Sequence, residues 1–213
     1  MDTVALDQAV AAHLPDSFLS SVVRSIFLAR KDAHDHCAAE FALSEQKNVM
    51  PAYWRGKVQG LLRDSAALVP GLTTDVVNSS GWNHNEITCG PFTITSHYVE
   101  TPCGLVDDAD YRKSLAESQP SFFDPEDMIK GAKLYALILY SPYRGKDNDD
   151  ARQHAYLPGS VYLAFPEAAL RKYAHKINLY DRFPVLLETL LPQEWDEQAR
   201  LIYRWQAAQR KTA

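Results

Sequence analysis

The sequence predicts an α+β fold: an antiparallel sheet of four to five strands, flanked by N-terminal and C-terminal helices. Two observations carry the prediction. Apolar residues recur every three or four positions up to about residue 70, every second position from about Leu72, and at helical spacing again after Pro166. Nine glycines in 213 residues are also few for a sandwich or barrel. The 46% hydrophobic fraction is enough to build a real core. The chain reads as a single α+β domain, 1–213, with a helical part (1–70), a sheet-containing part (71–166) and C-terminal helices (167–213).

Val4, Leu6, Val10 and Leu14 mark a short amphipathic helix that Pro15 stops. Asp16 then looks like the cap of a long helix from Ser17 to about Leu43. Its stripe is Phe18, Leu19, Val22, Val23, Ile26, Ala29, Ala33, Cys37 and Phe41. Pro51, suited to a first helical position, opens a second helix that ends at Val69-Pro70-Gly71.

A strand over Thr73–Val77 precedes a hairpin, Trp82 to Val99, closed by Gly90-Pro91. A two-residue loop there sets Cys89 opposite Phe92, Thr88 opposite Thr93 and Ile87 opposite Ile94. Continued outward, the same register sets Glu86 opposite Thr95 and His84 opposite His97. Alternation puts Ile87, Cys89, Phe92, Ile94 and Tyr98 on one face. The other face gathers His84, Glu86, Thr88, Thr93, Thr95, His97 and Val99.

Residues 108–117 suggest a short helix, and Asp124-Pro125-Glu126-Asp127 a further helical turn. Lys133–Tyr140 is the most apolar strand and suits the sheet centre. Ser160–Phe165 pairs with it across a polar loop. Helices are expected over Glu167–Lys176 and Phe183–Leu191, with a last one opened by Pro192 and striped by Trp195, Ala199, Ile202 and Trp205.

No window approaches the roughly 18 apolar residues that span a bilayer, and Met1-Asp2-Thr3-Val4 does not begin a secretory signal. Cys37, Cys89 and Cys103 form neither a disulfide framework nor a metal knuckle. A cytoplasmic location is the expectation. The net charge of −5 argues against bulk nucleic-acid binding without excluding a local groove. Seven acidic residues face two basic ones between Asp107 and Asp127. That segment, or a helical face, would suit a basic protein partner.

Phosphate-binding glycine loops, nucleophile elbows and HExxH are absent from the sequence. The candidate site is His84, Glu86 and His97. Two imidazoles and a carboxylate can ligate zinc, iron or manganese, or a histidine paired with Glu86 can act as general base. Asp75 with Glu86-Ile87-Thr88 resembles in placement the acidic set of PD-(D/E)xK nucleases. Thr88, however, stands where those enzymes need lysine. Asp32, His36 and Glu40 share a helix row, read as a solvated flank.

Two functions follow as expectations. The first is a cytosolic regulatory or interaction protein that binds a partner macromolecule. The second is a metal-dependent hydrolase, nuclease-like in kind, using His84, Glu86 and His97 with a divalent metal.

Overall fold

The computed structural model describes residues 3–79, 82–102, 104–107, 109–118, 133–145 and 148–191. The expected helical turn at 124–127 and the last helix from Pro192 lie outside them. The described elements are α1 (Thr3–His13), α2 (Asp16–Glu40), α3 (Leu43–Ala67), β1 (Leu72–Ser79), β2 (Trp82–Cys89), β3 (Phe92–Tyr98) and α4 (Asp110–Glu117). They continue with β4 (Leu134–Pro142), α5 (Asn148–Gln153), β5 (Pro158–Pro166), β6 (Tyr173–Asn178), α6 (Leu179–Arg182) and α7 (Pro184–Leu190).

The fold is α+β, with two corrections to the sheet. It has six strands in the order β1-β2-β3-β4-β5-β6, and it is mixed because β3 and β4 run parallel. The reason is topological. A tight turn can only reverse a strand, whereas the connection through α4 carries the chain back to the starting end of β3. The other neighbouring pairs are antiparallel.

The helix boundaries also move. Phe41 is extended (φ −128°, ψ 144°), which ends α2. The next helix starts at Leu43, where the Ala42 N–H donates to the Glu45 carboxylate at 3.2 Å. Pro51 therefore lies inside α3 and does not open it. The expected helix over 167–176 is a turn followed by β6. Leu170 takes a left-handed φ of 54°, its N–H donates to the Glu167 carbonyl, and the Glu167 N–H donates to the Lys172 carbonyl. Tyr173, His175 and Ile177 have the bulk that strand pairing uses, and His175 stacks on its cross-strand partner Phe165.

Two apolar layers sandwich the sheet. Leu134, Ala136, Ile138 and Tyr140 of β4 face α1, α2, α3 and the α6–α7 corner. Tyr135, Leu137 and Leu139 face Val99, Val106, Ala116 of α4 and Leu170. With both faces covered, β4 and β5 are buried almost throughout, as the apolar run of 134–140 implied. Among the described residues no helix is long and apolar enough to cross a membrane.

Candidate functional site

The hairpin closes where the sequence places it. Cys89 pairs with Phe92, Thr88 with Thr93 and Ile87 with Ile94. Gly90 supplies the left-handed φ of 54° that the turn needs. The apolar face is buried as expected: Ile87, Cys89, Phe92 and Ile94 are each at most 5% exposed.

Beyond Ile87 the two strands part. β2 stays paired with β1 along its whole length, while β3 stays with β4. The expected pairs Glu86–Thr95 and His84–His97 are therefore not formed. Gln59 of α3 enters the fork from the helical side. The Asn85 N–H donates to Gln59 Oε1 at 2.9 Å, and Gln59 Nε2 donates to Ser96 Oγ at 3.0 Å. One side-chain amide thus replaces a missing rung of the ladder.

α4 covers part of the polar face, over His84 and His97. His84 is 3% exposed and stacks on Tyr111 with ring centroids 3.9 Å apart. Its Nε2 lies 3.2 Å from Glu86 Oε1. Asp75 sits directly across the ladder from Glu86, which keeps the two acids of the nuclease-like reading side by side. Thr88 is exposed at the position where that chemistry needs lysine.

His97 belongs to a separate arrangement. Its Nδ1 is 3.2 Å from Arg112 Nη1, so this nitrogen accepts and the ring is neutral. Arg112 is 4% exposed. It also donates to the Tyr111 hydroxyl at 3.0 Å and to the Asp107 carbonyl. Beside it Thr95 Oγ1 and the Tyr135 hydroxyl share a 2.8 Å hydrogen bond. Burial pushes the Tyr135 phenol well above its ordinary range.

The three predicted residues are thus split. His84 and Glu86 form one pair, and His97 is engaged by a cation. Among the described residues no three His, Cys, Asp or Glu side chains form a metal-ligand group. Tyr111 lies over the base-like pair. Asp32 of the helix row pairs instead with Lys57 at 2.8 Å, and His36 stacks on Tyr53.

Sequence reasoning missed Gln59, Tyr111, Arg112 and Tyr135. The adjacent Tyr111-Arg112 pair at the start of a short helix was the available signal, but nothing in its spacing says that the arginine turns inward.

Burial, then the positive charges of Arg112 and Arg55, lower the His97 pKa from an ordinary 6.5 to about 3. Above pH ~6.5 both folded and unfolded chains carry it neutral. As the pH falls from there toward 3, the unfolded chain takes up a proton that the folded one refuses. Stability is then lost by up to about 1.4 kcal/mol per pH unit. Urea melts at pH 7.5 and 4.5 should show wild type losing more stability than His97→Gln. Equal losses would mean that His97 is not shielded.

Compared with protein-family models, curated proteins and solved structures, the chain gives no match, so the reading of its function rests on this geometry.

Proposed function

We propose that the protein works by binding a partner macromolecule: a protein that lays an amphipathic helix into a cleft between α2, the segment before β5, and α7. The cleft carries the reading. It has a volume of about 460 Å³ and is lined by Phe27, Leu28, Tyr156, Leu157 and Leu190, with Lys31, His34 and Asp35 at its rim. Leu28, a large apolar residue on the outer side of α2, is 51% exposed. An apolar floor with both signs of charge at its edge suits a helix with one apolar and one charged face.

The acidic stretch expected to meet a basic partner contributes charge without a comparable shape. With Arg112 turned inward, Asp107, Asp110 and Glu117 remain exposed there. Metal-assisted hydrolysis on the hairpin would require Arg112 to release His97 and Tyr111 to uncover His84, so that alternative is not adopted.

A photo-cross-linking residue at position 28 of the full-length chain tests the reading. The expected product joins it to an amphipathic segment of another protein. A synthetic peptide of that segment should bind the purified protein, and Leu28→Asp should weaken it by about tenfold or more. Leu28 is exposed, so the variant should keep its fold. Cross-links confined to residues 192–213 of the same chain, or peptide binding indifferent to Leu28→Asp, would overturn it.

A further inference from the structure

Arg30 of α2 is a buried cation without a counter-ion among the described residues. It is 7% exposed, and its Nε donates to the Ala155 carbonyl at 2.7 Å. Its guanidinium carbon lies over the Trp54 ring, 4.7 Å from the centroid. No carboxylate or other acceptor among the described residues meets its two terminal nitrogens. The ion pairs there involve other cations, among them Lys31, Lys57 and Arg182.

The surroundings are aromatic, with Arg144 and Glu100 both within electrostatic reach of Tyr98. Trp54 packs edge-on against Tyr98 at 5.6 Å and Tyr140 at 4.8 Å, near the carboxyl ends of the parallel strands β3 and β4. The Tyr140 hydroxyl is buried with no hydrogen-bond partner among the described residues. Tyr98 lies within electrostatic reach of both Arg30 and Arg144, and Arg144 itself donates to the Glu100 carbonyl at 3.1 Å.

We propose that the two terminal nitrogens of the Arg30 guanidinium, which lies over the Trp54 ring, are a binding site for the carboxylate of a small organic acid. Three arguments support it. An uncompensated buried charge is strongly unfavourable, and an anion of opposite sign is its natural remedy. Desolvation lowers the Arg30 pKa from 12.5 to about 10, the mark of a cation held without an anion. The planar fork also matches a carboxylate bidentately, with the neighbouring Trp54 ring beside the acid's apolar body.

Charge selects the anion. One buried cation balances a carboxylate monoanion, whereas a phosphate dianion would bring excess negative charge into a site of low polarity. This inference is independent of the cleft, whose lining does not include Arg30.

The test uses the full-length protein at constant ionic strength, titrated separately with acetate, benzoate, inorganic phosphate and chloride. The readouts are the Arg30 Nε–Hε NMR signal, assigned by its loss in Arg30→Lys, and the thermal midpoint. Expected are a saturable shift and a rise in midpoint with acetate, stronger with benzoate. Both should be absent with chloride and weak with phosphate. Arg30→Lys keeps the charge but loses the fork, and should weaken the midpoint response by about tenfold. Tyr140→Phe, which removes no charge, should unfold cooperatively and still respond to benzoate. No saturable shift in wild type, an equal response to chloride or phosphate, or full binding by Arg30→Lys would overturn the site.

Discussion

Trp54→Ala is expected to remove about 3–5 kcal/mol of folding stability, a large part of the 5–15 kcal/mol that keeps a typical domain folded. Trp54 is fully buried at the place where α2, α3 and the sheet meet. Its ring touches Tyr98 and Tyr140 and carries the Arg30 guanidinium. Its Nε1 donates to the Ile26 carbonyl at 3.4 Å. Alanine would leave a large cavity and expose the cation to an empty space. Trp54→Phe keeps most of the volume and should lose markedly less. Urea denaturation of the two variants gives the comparison, and equal losses would show that volume is not what this residue supplies.

The second large effect is expected from Arg112→Ala. The side chain is the only described donor to His97 Nδ1, and it also serves the Tyr111 hydroxyl and the Asp107 carbonyl. Its removal leaves buried acceptors unmatched as well as a void, at about 1–3 kcal/mol for each acceptor that water cannot reach. A total loss of roughly 2–4 kcal/mol is expected, since Tyr111 can turn its hydroxyl to solvent. A spectroscopic signature separates this from simple loss of packing. Without the neighbouring positive charge, the His97 titration followed by NMR should move up toward the ordinary histidine range. A destabilised variant with an unmoved His97 titration would mean that the two side chains do not interact.

Much of the fold was legible because local patterns and tertiary packing agree. The Gly90-Pro91 turn, its first three cross-strand pairs and the apolar run of β4 are each dictated within a few residues. The parallel pairing of β3 with β4 was not legible, because it depends on where a long connection returns. Pro51 misled because its preference for a first turn is a weak prior, and the Glu45 side chain already supplies a start eight residues earlier. Leu170 hid the turn before β6, because leucine gives no sign of a left-handed conformation.

The site was half legible. Alternation assigned His84, Glu86 and His97 to one face, and burial of the opposite face agrees with it. Whether they converge depends on the fork that Gln59 fills and on the inward turn of Arg112. Both are long-range events between elements far apart in sequence, so no local spacing encodes them.

The parallel junction has a consequence for how the chain assembles. On one side of it β1, β2 and β3 form an antiparallel meander, and on the other β4, β5 and β6 form a second. Each meander can zip up from contacts between neighbouring strands, whose loops are short to moderate. The seam between them pairs strands that are separated in the chain by residues 99–133. Joining ends that far apart is entropically slow. The sheet is thus expected to form as two halves whose joining bond comes last, and Tyr98 and Tyr140, register partners on that bond, should come side by side only then.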